Sequence, residues 1–240
     1  MIAAAIDKIL SLQQPLTVKV NGEEYSTVRL NRVPKEMSAD PIEVSTLSSL
    51  VKYVREFKET KKKVPYMAHI VSPTRVELIS GLDGDRDREK LMVVNAETPK
   101  IPFGSFIENE KMLIAVQSMF IDDPDTDRAA VLKFAGTVTS GSIKAYDDDG
   151  VTQKATIKQG VASKAEAIVP SPCVLRPFRT FSEVEQPASS FIFRMKEDRS
   201  EEIFSALYEA DGGAWRNQAR ENIRVYLEEQ LAGTGITVIA

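Results

Sequence analysis

Histidine and cysteine are almost missing from this chain: His69 and Cys173 stand alone among 240 residues. A single thiol rules out an intramolecular disulfide and fits a reducing compartment. A single imidazole leaves a Ser-His-Asp triad only His69 to use, and zinc sites draw on more His and Cys than one of each. His69 sits between Ala68 and Ile70 in a segment that reads as a strand. That position favours a hydrogen-bonded sheet histidine over a general base. Cys173 lies between Pro172 and Val174, with neither a base nor a helix N-terminus beside it to lower its pKa, so it reads as a buried structural thiol.

Glycine-rich phosphate loops are missing too. No Gly-x-x-x-x-Gly-Lys-Ser/Thr run and no Gly-x-Gly-x-x-Gly occurs, which excludes nucleotide cradles of those two kinds. No stretch approaches the roughly 18 apolar residues that a membrane span needs. Met1 to Leu12 is mildly apolar but lacks a basic leader and carries Asp7 and Lys8, so it reads as a short helix. The expectation is a cytosolic chain with no membrane partner and no cofactor. A net charge of −4 argues against a protein that coats duplex nucleic acid, although a local basic groove is compatible with it.

What is present is ordinary globular material. Hydrophobic residues at 42% and charged residues at 28% suffice for a folded core. Leu16 to Leu30 alternates around Asn21-Gly22, a pair that accepts the positive φ of a type I′ turn, so a hairpin is expected there. Residues 31–43 carry Pro34 and Pro41 and read as a linker. Leu47, Leu50, Val51, Val54 and Phe57 fall at helical spacing behind Ser45 and Thr46. Strands are expected at 66–71, 75–80 and 90–95, then a multi-faced apolar helix over 103–121 and a shorter helix at 127–136. A second hairpin flanks Asp147-Asp-Asp-Gly150, and an Ala/Ser-rich connection covers 160–172. Strands follow at 174–185, 190–196 and 203–209, an amphipathic helix at 215–231, and a short strand at 236–239.

This order, with strands in adjacent groups and helices gathered at three places, predicts an α+β fold. It has a largely antiparallel sheet, a long buried central helix and a C-terminal amphipathic helix. The change of texture near 122–136 places an N-terminal α+β lobe at 1–122 and a β-rich lobe at 123–240, or one continuous domain.

Acidic loops invite a calcium reading that their spacing defeats. Asp83, Asp85 and Asp87, and likewise Asp123, Asp125 and Asp127, match the first ligand positions of an EF-hand. The glycine required next is Arg88 or Arg128, and the closing glutamate is Val94 or Phe134. Asp147 to Gly150 is accounted for by turn chemistry. Among Glu108, Glu110, Asp122 and Asp123 no pair stands out for metal-assisted hydrolysis. Ser49-x-x-Lys52 has a serine–lysine spacing used in acyl transfer but lacks the companion motifs. The basic candidates are Lys61, Lys62 and Lys63, with Arg176, Arg179 and Arg194 on strands carrying phenylalanine. Such residues suit single-stranded nucleic acid or a phosphate-bearing ligand; the competing reading is plain alternation on a half-buried sheet.

Five segments together resemble an uncharacterised tailed-phage and prophage protein family. They are Val169-Pro-Ser-Pro172, Leu175-Arg-Pro-Phe-Arg-Thr-Phe181, Glu183-Val-Glu-Gln-Pro187, Phe191-Ile-Phe-Arg-Met195 and Glu209-Ala-Asp-Gly-Gly-Ala-Trp215. Val44 to Tyr53 fits the same picture, and the resemblance spans about residues 42–231. It implies an accessory product made in the cytoplasm of an infected bacterium and transfers no functional residues. The leading expectation is a non-enzymatic accessory protein that binds, as a homo-oligomer, with a host protein or small ligand as a further partner. The alternatives are a single-strand nucleic-acid accessory and a carboxylate–metal hydrolase.

Overall fold

The structure, a computed structural model, describes residues 2–12, 17–26, 39–57, 64–84, 86–137, 143–148, 153–159, 163–168, 171–200 and 202–240. The chain divides into two units, Met1–Ala39 and Asp40–Ala240. The boundary expected at 122–123 therefore falls inside the second unit.

In the first unit, helix α1 (Ile2–Leu12) precedes the antiparallel hairpin β1 (Thr17–Val20) and β2 (Glu23–Ser26). Asn21 and Gly22 adopt φ of 54° and 87°, the type I′ geometry expected of that pair.

The second unit is α+β and mostly antiparallel. Its larger sheet has the order β14-β4-β5-β6-β3, from β3 (Ile42–Val44), β4 (Tyr66–Ser72), β5 (Arg75–Ser80), β6 (Lys90–Asn95) and β14 (Thr237–Ile239). The three central strands are antiparallel, while β14 and β3 each join an edge in parallel. Helix α2 (Leu47–Glu56) begins at Thr46, whose hydroxyl accepts the Ser49 N–H at 3.3 Å. Its apolar stripe, Leu47, Leu50 and Val51, is buried with Ala68, Ile70, Val76, Leu78, Met92 and Val94 of the sheet. Helix α5 (Trp215–Gln230) adds Ile223 and Leu227 to the same core, as its spacing requires.

The second sheet runs β11-β12-β13-β7, from β7 (Ile107–Glu108), β11 (Cys173–Leu175), β12 (Ser189–Glu197) and β13 (Ile203–Glu209). Phe191, Phe193 and Met195 alternate inward along β12. They meet Met112 and Val116 of α3 (Asn109–Met119) and Val131 and Phe134 of α4 (Arg128–Thr137). A three-stranded sheet, β10-β9-β8, comprises β8 (Ile143–Asp148), β9 (Gln153–Gln159) and β10 (Ser163–Ile168). Each of the two cores draws side chains from both sides of residue 122. Among the described residues, no helix is long and apolar enough to cross a membrane.

Four expectations change. The long helix over 103–121 is the 11-residue α3, and Ile114 on it is 56% exposed. Residues 103–108 are claimed otherwise: Gly104 turns the chain at φ 72°, Phe103 stacks on Phe191 at 5.3 Å, and Ile107 pairs with Ser205. The positive φ of Gly104 is incompatible with a helix through that residue. The expected strand over 174–185 stops at Leu175; beyond it the backbone leaves β12 and makes a single antiparallel bridge to Phe120 at Pro177, and a loop follows. Strand β3 begins inside the supposed linker 31–43, and the connection 160–172 contains β10.

Candidate functional site

Each arginine singled out from the sequence is committed to a partner within the protein. Arg176 Nη1 lies 2.9 Å from Asp123 Oδ2 and 3.5 Å from Glu185 Oε1. Arg179 is 7% exposed; its Nη1 donates to Glu209 at 2.8 Å and its Nη2 to the Ser189 hydroxyl. The guanidinium carbon sits 4.0 Å above the Trp215 ring. Burial lowers its pKa to about 10, with the charges of Glu209 and Asp211 opposing that shift, so it stays protonated at neutral pH. Arg194 Nη1 donates to the Ser171 hydroxyl at 3.3 Å. Arg176 and Arg179 thus have their charge met by carboxylates, and Arg179 is also stacked on a ring, whereas Arg194 meets only hydroxyl and carbonyl oxygens among the described residues. Lys61, Lys62 and Lys63 lie outside the described residues.

Around Arg179, the loop from 176 to 188 is organised by one buried amide. Gln186 Oε1 accepts the N–H groups of Arg179 at 2.9 Å and Thr180 at 3.1 Å, while its Nε2 donates to the Phe181 carbonyl at 2.8 Å. This loop carries Phe181 and Val184 into the core beneath α2 and α5. Its role is architectural.

The nucleophile and base candidates are equally occupied or isolated. Cys173 is fully buried; burial, helped by the Asp127 charge, pushes its thiol up to about 12. His69 lies opposite Glu77 in the β4–β5 register. That carboxylate is taken by Arg75 at 2.7 Å and Lys90 at 2.9 Å. Burial alone would raise the Glu77 carboxyl, but hydrogen bonds from Lys90 and Arg75 outweigh it and hold it below its ordinary value. The carboxylates considered for hydrolysis go elsewhere: Glu108 to Lys111, Asp122 to Arg128 and Asp123 to Arg176. Asp83 and Asp123 also close their own loops by accepting the N–H of Asp87 and Asp125, each at 2.9 Å.

Among the described residues, β3 and β14 are the edges of the larger sheet, and the β3 edge lies beside an apolar cleft. Among the described residues, β3 has a strand partner only on its β6 side. Next to it a cleft of ≈ 270 Å³ is lined by Ile42, Val44, Ser49, Lys52, Tyr53, Phe57 and Met92. Tyr53 stacks on Phe57 at 5.7 Å and so fixes one wall. Ile42 is 46% and Phe57 53% exposed, large apolar side chains brought together at an open strand. The Ser49 and Lys52 pair noted from spacing is on this wall, but the Ser49 hydroxyl is held 2.6 Å from that of Thr46. The chain matches no family model, no curated protein and no solved structure. Sequence reasoning missed the site because β3 was concealed between Pro41 and α2. The Ile42–Val44 alternation, three residues long, was its only signal.

Proposed function

We propose that this protein acts by binding, and that it takes up an extended segment of a partner polypeptide along β3. The observation that carries the reading is a strand edge, unpaired among the described residues, beside an apolar cleft. Recognition by strand addition uses these two parts: main-chain N–H and C=O groups along the edge, and pockets for alternate side chains. β3 is only three residues long, bounded by Pro41 and Ser45, so the edge alone offers few hydrogen bonds and the cleft must supply much of the affinity. A non-enzymatic reading is supported by Cys173 being buried with a raised pKa, and by the Glu77 carboxylate opposite His69 being engaged by two cations. A role as a tailed-phage accessory acting on a host protein in the bacterial cytoplasm belongs to the same proposal and rests on the sequence resemblance.

Selection from a random eight-residue peptide library tests it. Enrichment of extended, β-branched sequences whose binding is lost in Phe57→Asp is expected. No enrichment, or enrichment indifferent to Phe57→Asp, refutes it.

Self-association is a second reading, favoured by α1. Ile2, Ile6 and Ile9 fall at helical i, i+4, i+7 spacing and are 79%, 51% and 59% exposed. A helix of 11 residues is marginal in water without a surface to cover its apolar stripe. A second copy of the same helix, packed stripe to stripe, is the occupant proposed. Light scattering is expected to give a multiple of the chain mass for the full chain and less for Ile6→Asp; a monomer across micromolar concentrations refutes it.

A further inference from the structure

The open edge of β3 is flanked by two surfaces of different chemistry. Toward α2 lie Ile42, Val44 and Phe57; near the end of β3 a second cleft, of ≈ 370 Å³, has Glu43 and Glu97 in its wall with Ser45 and Asn95. Successive side chains on a strand point to opposite faces, so Ile42 and Val44 serve one face and Glu43 the other. Both carboxylates are exposed, and neither makes a hydrogen bond or ion pair with another described residue. Two strands away the sheet treats a carboxylate differently: Glu77 is met by Arg75 and Lys90 at 2.7 and 2.9 Å. Among the described residues, the acidic pair beside the edge has no such cations.

We propose that the β3 edge selects an extended segment in which apolar residues alternate with lysine or arginine. The inference rests on the strand-addition reading above and names the partner's chemistry. With a strand laid along β3, apolar residues at i and i+2 fall beside Ile42 and Val44, and the residue between them falls on the face of Glu43. A cation there joins Glu43 and Glu97 and relieves the repulsion between two like charges; an acid there adds a third. Lys52, which is exposed, also lines the apolar cleft, and a lysine can pack its stem on an apolar surface while its ammonium stays in water.

Three fluorescein-labelled eight-residue peptides decide the matter by anisotropy with the full chain. One alternates valine and lysine, one alternates valine and glutamate, and one has four valines followed by four lysines. The alternating lysine peptide is expected to bind about tenfold tighter than either other at low salt, with the margin shrinking at high salt. In the double variant Glu43→Lys, Glu97→Lys the preference should reverse toward the glutamate peptide; both positions are exposed, so folding is spared. Equal affinity for the lysine and glutamate peptides, abolished by Phe57→Asp, overturns this inference and leaves strand addition standing. A lysine preference that survives the double variant, or is matched by the block peptide, also overturns it. Absence of binding by all three overturns the inference, and the library selection then judges strand addition separately.

Discussion

Replacing Gln186 by leucine should cost far more than its polarity suggests, because one side-chain amide satisfies three backbone groups in a buried loop. Its Oε1 accepts from the N–H of Arg179 at 2.9 Å and of Thr180 at 3.1 Å, and its Nε2 donates to the Phe181 carbonyl at 2.8 Å. Gln186, Arg179, Thr180 and Phe181 are all buried, so water cannot step in. Each orphaned group costs about 1–3 kcal/mol, roughly 3–9 kcal/mol for three in a rigid loop, which partial relaxation reduces to roughly 3–6 kcal/mol. Leucine has nearly the volume of glutamine and returns about 1–2 kcal/mol of apolar burial. The net expectation is a loss of about 2–4 kcal/mol. Urea unfolding followed by circular dichroism measures it, with the slope unchanged if the denatured state is unaffected. Gln186→Glu keeps an acceptor but loses the donor and buries a charge, so it should be at least as damaging. A loss under about 1 kcal/mol for the leucine variant refutes the assignment of this amide as the organiser of residues 176–188.

Other expectations follow from single groups. Arg179→Lys replaces a planar fork that reaches Glu209 and Ser189 and lies over Trp215 with a point charge. It should destabilise by about 2–3 kcal/mol and alter the emission of Trp215, the only tryptophan; unchanged emission and stability contradict it. Cys173 has a folded pKa near 12 against an ordinary 9, so the folded state keeps a proton that the unfolded chain gives up. Stability from this group is fully present below pH 9 and falls as pH rises toward 12, a slope that Cys173→Ala should flatten in alkaline melts. Glu77 has a lowered folded pKa, so its contribution is present above the unfolded value of 4.5 and is lost as pH falls through the folded one. Glu77→Gln should therefore lower stability at neutral pH and show a shallower loss below pH 4.5; an unchanged acid slope contradicts the pairing.

How much of this was visible in the sequence depended on how local the deciding interaction was. The Asn21-Gly22 hairpin, the capped helix behind Thr46 and the stripe of α5 were legible because each is fixed by residues within a few positions of one another. The central helix was overextended because Phe103, Phe106 and Ile107 are apolar for another reason. They pack on Phe191 and Tyr208 and pair with β13, contacts far along the chain. Edge strand β3 and the Gln186 loop were hidden for the same reason. One takes its register from β6, and the other buries an amide where polar residues between prolines look like surface. Interleaved Arg and Phe near 176–194 suggested a stacking platform, yet the loop after Leu175 and strand β12 place those arginines on Asp123, Glu209 and Ser171. Nothing local announced those partners.

Backbone amide exchange at Ile42, Glu43 and Val44, measured with and without a saturating peptide from the library selection, tests the central claim most directly. Added main-chain pairing along β3 should slow exchange in that strand by about tenfold or more, while β7, at an edge of the other sheet, is unaffected. A bound peptide that leaves those three amides exchanging as before, or protects β7 instead, would contradict it.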